Sequence, residues 1–219
     1  MVDWFAPVDA YCERLGPGFW AEPLNAMTNA AFVIAALWLW RRSAGVPVAR
    51  VLAVILGVIG VGSCLFHTAA TRWAGLADVV PIALYIVIYV TAANRYFCGW
   101  PWWVAALGAV AFVPYTAALT PLFDKLPFFT LSAVYWPVPL LIAAYALALH
   151  RRLPQVARGL AVGAAILCVS LVARSLDQPL CAALPRGTHF AWHILNALML
   201  AHMVRVLVRH RLDQAGGAG

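Results

Sequence analysis

Seven apolar runs, each close to the length of a membrane span, constrain this chain more than anything else in it. They lie near residues 24–40, 48–67, 77–94, 100–121, 127–149, 157–174 and 188–208. A spanning helix needs about 20 predominantly apolar residues. The reading is an all-α fold, an integral membrane bundle of seven transmembrane helices forming a single domain over residues 1–219. Within it, 1–23 form an interfacial cap, 24–210 the bundle and 211–219 a flexible tail. Composition agrees, with 64% hydrophobic and only 11% charged residues, where soluble domains carry about 45–50% and about 25%. Tryptophans gather at the ends of runs, as Trp38 and Trp40 before Arg41-Arg42 and Trp100, Trp102 and Trp103 opening the fourth run. That placement is the aromatic belt of the membrane interface. Pro81, Pro114, Pro137 and Pro139 fall inside runs, which a bundle tolerates because neighbours satisfy the freed carbonyls.

Charge then orients the spans. The net charge of +7 would suit a nucleic-acid partner if it formed a patch, but its distribution follows membrane topology instead. Arg41, Arg42, Arg50, Arg95, Arg151, Arg152, Arg158, Arg205, Arg209 and Arg211 lie on the side of the C-terminus. Arg14, Arg72, Lys125, Arg174 and Arg186 lie on the side of the N-terminus. Short loops rich in arginine stay in the cytoplasm. The expectation is a cytoplasmic C-terminus and an extracytoplasmic N-terminus, in the inner (plasma) membrane if the source is a bacterium. No basic stretch followed by an apolar one and a small-residue cleavage site opens the chain, so no signal peptide is expected. No nucleic-acid partner and no obligate protein partner is evident; the partners expected are the membrane and a lipid.

Ionisable groups at membrane depth are costly, and by default they mark function. Ser63 and His67 stand four residues apart, which on a helix puts them on one face. Asp78 begins the third run, and His189 and His193 stand four apart at the start of the seventh. With the topology above, all of them fall near the membrane face that bears the N-terminus. Three histidines plus one open position is a common catalytic zinc arrangement. A carboxylate nearby can take a proton from water, and a serine one turn from a ligand can donate to a developing oxyanion. Gly60 and Gly62 would let a partner helix come close. Each residue alone has a plainer reading. His67 can make an interhelical hydrogen bond, and the His189/His193 pair can serve a haem or quinone. Ser63 can bond its own backbone, and Asp78 can cap a helix. Cys12 and Cys181 both fall on the outer side, where an oxidising compartment permits a disulfide. Cys64, Cys98 and Cys168 read as apolar filling.

Together these motifs resemble the alkaline ceramidase family, part of a seven-span hydrolase superfamily that includes the adiponectin receptors. The matching elements are Gly60-x-Gly62-Ser63-x-x-x-His67, Asp78 at the opening of the next span, and His189-x-x-x-His193 on the last. The cap residues Tyr11-Cys12-Glu13 and Phe19-Trp20-Ala21-Glu22-Pro23-Leu24-Asn25 point to ceramidases within it. The resemblance covers nearly the whole chain. It implies zinc on His67, His189 and His193, with Asp78 and Ser63 as catalytic residues. It also implies a Cys12–Cys181 disulfide and a ceramide-like lipid substrate whose N-acyl bond is hydrolysed. The family's cap holds calcium, which would fall here on Glu13, Glu22, Asp9 and Tyr11. Ala10 stands where an Asp is expected, and Leu15 where an Asn ligand is expected. Two other functions stay open: a superfamily receptor with a structural zinc and little turnover, and a hydrolase of another lipid amide or ester.

Overall fold

A computed structural model describes residues 2–216. Among these, the regular elements are helices. Helices α1 (Pro23–Thr28) and α2 (Ala30–Arg42) together make the first span. They are followed by α3 (Pro47–Ala69) and α4 (Arg72–Tyr96). Helices α5 (Trp102–Val110) and α6 (Phe112–Asp124) form one further span. Then come α7 (Pro137–Leu149), α8 (Pro154–Leu176) and α9 (His189–Gly216). Six units are long and apolar enough to cross a membrane, and α7 is a shorter apolar helix beside them.

Local chemistry explains the breaks. At the α1–α2 joint, Thr28 Oγ1 donates to Leu24 O or Asn25 O, and Asn29 Nδ2 donates to Asn25 O. Such bonds back into the preceding turn bend helices. Pro114 has no N–H to offer Val110, and the fourth span divides just there, between α5 and α6. The fifth span was expected from 127, but its helix begins only at Pro137. Residues 125–136 form turns and one 3₁₀ turn, Thr130–Ser132. A proline favours the first position of a helix, where its missing N–H is harmless. At the far end, α9 continues through the expected tail as far as Gly216; residues 217–219 of that tail lie outside the described residues.

The third span also begins early. Ala70 closes α3 in the left-handed region (φ 45°), and Thr71, in extended conformation, caps α4. Asp78 therefore sits almost two turns inside α4, and the helix-cap reading of it is overturned. The cap fixes this sharp turn: Val8 N donates to Ala70 O, Arg72 N to Ala6 O and Trp73 N to Trp4 O.

α3 buries a stripe at helical spacing, with Leu52, Leu56, Ile59 and Ser63 facing inward. It packs between α2 and α4, while α9 packs between α2 and α8. α9 is central, with 67% of its most apolar stretch buried, against 11% for the α5–α6 span. The crossing of α3 and α4 has a specific cause. Pro81 lacks the N–H that would bond the Ala77 carbonyl. A Cβ on Gly62 would stand 2.1 Å from that carbonyl oxygen. Only glycine lets the two backbones meet there, and the contact lies beside Ser63 on one helix and Asp78 on the other. Gly60 does the same toward α2, where its added Cβ would be 2.9 Å from Phe32 Cβ.

The N-terminal segment folds over one end of the bundle. Cys12 and Cys181 are joined by a disulfide that closes a 169-residue separation. On the chain-entropy account such a closure stabilises by up to ~5 kcal/mol.

Candidate metal centre

Three imidazoles converge under the cap. His67 comes from the last turn of α3, and His189 and His193 from the first two turns of α9. Each is at most 2% exposed. Ring centroids lie 4.6 Å apart for His189–His193, 4.7 Å for His67–His193 and 5.1 Å for His67–His189. One nitrogen from each ring falls within 4.8 Å of the other two. His67 Nε2, His189 Nδ1 and His193 Nε2 are all buried without a hydrogen-bond partner. A single orphaned buried polar atom is unusual. Three in rings that converge on one another are what a ligand set for a metal looks like, and the donor chemistry suits zinc.

The surrounding residues fix which nitrogen is free. His67 Nδ1 lies 2.6 Å from Glu22 Oε2. A carboxylate can only accept, so Nδ1 carries the proton and Nε2 keeps its lone pair. His193 Nδ1 lies 2.9 Å from Thr28 Oγ1. That hydroxyl spends its own proton on a backbone carbonyl of α1, so it accepts from Nδ1 and leaves His193 Nε2 free. Partners of this kind orient metal-ligating histidines. His189 is held differently: Tyr11 stacks on its ring at 3.6 Å between centroids, nearly parallel at 18°. Burial pushes the Tyr11 phenol up to about 12. It is neutral at physiological pH, and Arg174 Nη2 donates to it at 3.2 Å.

Asp177 sets the direction from which α9 enters. Its Oδ1 accepts from Thr188 N at 2.7 Å and His189 N at 2.9 Å, and its Oδ2 accepts from Cys12 N at 3.0 Å. One buried carboxylate thus caps the helix that carries two of the three histidines and ties it to the cap beside the disulfide. Gly187 (φ 63°) makes room, since a Cβ there would stand 2.0 Å from Asp177 Oδ1.

Asp78 and Ser63 also reach this region. Asp78 is half-buried on α4, with its carboxylate facing Ser63, His67 and Arg174. Ser63 is buried one turn before His67. The structure thus brings Ser63, His67, Asp78, His189 and His193 to the same end of the bundle. The remaining histidines lie elsewhere. His202 Nε2 bonds Gly159 O, His210 Nε2 bonds Tyr96 O, and His150 Nδ1 bonds Leu147 O.

The residues expected to hold calcium do not form a set that could. Both oxygens of Glu13 accept from the first turn of α1, from Leu24 N at 2.7 Å and Asn25 N at 2.8 Å. Glu22 divides its oxygens between Arg14 Nε at 2.5 Å and His67 Nδ1 at 2.6 Å. Burial works against charge on Glu22, but its bonds to His67, Arg14 and Asn25 outweigh that and hold the carboxyl below the usual carboxylate range. Asp9 is exposed, and Tyr11 faces Arg174 and His189. A guanidinium already lies against Glu22, so a divalent cation there would meet a like charge. Glu22 is a partner of His67, which its place in the sequence, 45 residues away, does not reveal. The roles of Arg14, Thr28, Asp177 and Gly187 escaped the sequence for the same reason. The local sign the sequence does carry there is the spacing of Asn25, Thr28 and Asn29, which puts three polar side chains on one face of a helix.

The fold and the site define an all-α integral membrane protein with a buried three-histidine centre under a disulfide-tied cap. Compared with models of known families, the chain matches the one described as Ceramidase over residues 11–217. It belongs to that family. No curated protein matches it.

Proposed function

We propose that this protein is a membrane-embedded, zinc-dependent amide hydrolase. It cleaves the N-acyl bond of ceramide-like sphingolipids to a sphingoid base and a fatty acid. The observation that carries the proposal is the convergence of three buried imidazoles, with one nitrogen of each within 4.8 Å of the others and one nitrogen of each left without a partner, in a chain of the ceramidase family. His67 Nε2, His189 Nδ1 and His193 Nε2 would hold the zinc. When bound, the metal supplies a Lewis acid and a water that deprotonates near neutral pH.

The other residues complete an amide hydrolysis. The Asp78 carboxylate accepts the proton of the attacking water and delivers it to the departing amine nitrogen. The Ser63 hydroxyl donates to the carbonyl oxygen as negative charge develops on it. Water's hydroxyl ends on the acyl carbon and its proton on the amine, so the products are one acid and one amine. The Gly62–Ala77 contact holds Ser63 and Asp78 in register across α3 and α4. Deeper in the bundle lies an apolar cavity of about 60 Å³, lined by Tyr85, Tyr89, Val138, Leu160, Met199 and Met203. Tyr85 is seven residues beyond Asp78, roughly 10 Å along α4. An apolar wall at that depth favours a lipid substrate over a water-soluble amide.

Purified protein incubated with a lipid panel is expected to release long-chain base and fatty acid in equal amounts from ceramides, as read by mass spectrometry. A zinc chelator should abolish release and added zinc restore it. Release of neither product, with zinc bound, would overturn the hydrolase in favour of a receptor-like protein with structural zinc.

The site opens, on this reading, toward the extracytoplasmic side. The end of the bundle opposite the histidines carries Arg152, Arg205 and Arg209, where Arg152 bonds Phe97 O and His210 bonds Tyr96 O. Short arginine-rich ends face the cytoplasm. A topology reporter fused after Gly219 is expected to be active only in the cytoplasm; activity outside would invert the orientation.

A further inference from the structure

Arg14 is buried to 7% exposure, and its whole guanidinium fork is engaged. Nε donates to Glu22 Oε1 at 2.5 Å, Nη1 to Gly16 O at 3.2 Å and Gly18 O at 3.4 Å, and Nη2 to His67 O at 3.2 Å. Four oxygens from three parts of the chain therefore surround one cation. Two belong to the Gly16-Pro17-Gly18 turn of the cap, one to the carboxylate that orients His67, and one to His67's own backbone. An all-oxygen cage with a carboxylate is the environment that a hard divalent cation also takes. Here a side chain fills it, and a buried guanidinium needs such a full set of acceptors.

We propose that Arg14 is a built-in cation that replaces calcium in this cap. It also acts as a positioning residue for the metal centre, holding Glu22 and the end of α3 so that His67 Nε2 points at the metal. The second part rests on the reading of the three histidines as a metal site. The first part does not. The path is short and fully bonded: Arg14 to Glu22 Oε1, Glu22 Oε2 to His67 Nδ1, with Arg14 Nη2 bracing the His67 carbonyl from the other side. Arg14 touches neither substrate nor metal ligand atoms. Among the described residues no second cation bonds the cage, and the nearby Arg174 of α8 is spent on Tyr11, Leu131 and Ser132. A protein with this arrangement should be indifferent to calcium.

The test uses the full chain, purified in detergent. In the wild type, Tm is expected to be the same in millimolar calcium and in a calcium-selective chelator, with no calcium retained by elemental analysis after dialysis. Arg14→Ala empties the cage. It should lower Tm and weaken zinc retention by about 10–100-fold, the usual loss when a partner of a metal-ligating histidine goes. Millimolar calcium or methylguanidinium should then raise the Tm of Arg14→Ala, but not of wild type, and recover zinc retention. Arg14→Lys keeps the charge without the fork and should fall between the two. Stoichiometric calcium in the wild type, or a wild-type Tm that rises with calcium, overturns the proposal. So does an Arg14→Ala protein with unchanged Tm and zinc retention. If Arg14→Ala does not fold, the wild-type calcium measurement and Arg14→Lys still decide. Tm rescue without any zinc in the wild type would uphold the cage and sink the metal reading, which keeps the two failures apart.

Discussion

The His67→Ala/His193→Ala double variant is expected to contain no zinc and to release no fatty acid from ceramide. Two of three ligand nitrogens are gone, and a single imidazole from His189 cannot hold a tetrahedral metal against water. The loss should be complete, because on the proposed chemistry the metal would supply both the activated water and the polarised carbonyl. His202→Ala is the control. It lies on the same helix, but its ring bonds the Gly159 carbonyl on α8, so zinc content and turnover should be unchanged. Elemental analysis of purified protein decides the matter. Stoichiometric zinc retained in the double variant would show that the metal, if any, lies elsewhere.

Asp78→Asn is expected to fold, keep its zinc, bind lipid with unchanged affinity and lose about 10²–10⁴ in rate, the usual loss when a general base is removed. The amide keeps the shape of the side chain and can still bond Ser63, but it cannot take a proton from water. The carboxylate is not among the converging ligand atoms, which are all imidazole nitrogens, so metal content separates base from ligand. Single-turnover rates with zinc determined on the same sample make the measurement. If the variant sheds its metal, Asp78 is a ligand. If it keeps full activity, Asp78 is a half-buried polar residue of the α3–α4 contact. Ser63→Ala should show the same pattern more mildly, since a bound metal would also polarise the carbonyl.

Much of this protein was legible because its signals are local. A run of about 20 apolar residues reports a span whatever its neighbours are. His189 and His193 share a face because four residues make about one turn, and the same spacing links Ser63 to His67. Asn25 and Asn29 stand one turn apart as well, polar residues on an apolar run, and both are turned into the bundle, 0% and 2% exposed. The errors arose at boundaries, where a turn outweighs hydropathy. Asp78 reads as the opening of a span because residues 72–76 include Arg72 and Gly75. The cap pairs with Thr71, and the helix starts at Arg72 and runs through them. Residues 127–136 are apolar enough to extend a span, but Pro137 sets where α7 begins.

The sequence by itself determined the seven apolar helical units, six of them long enough to cross a membrane, their charge asymmetry and the identity of the three histidines. Each follows from residue type and helical period over a few turns. The tertiary structure alone decided how those histidines are held. Glu22 reaches His67 across 45 residues, Arg14 reaches the His67 carbonyl across 53, and Thr28 and His193 meet across 165. No periodicity links such positions. A glutamate in a polar cap reads equally as a solvent-facing charge or a cation ligand until the fold puts a histidine 2.6 Å from it. The reason is that burial makes the pairing obligatory: once Arg14, Glu22 and His67 leave water together, each must find its partners among the other two and the backbone around them.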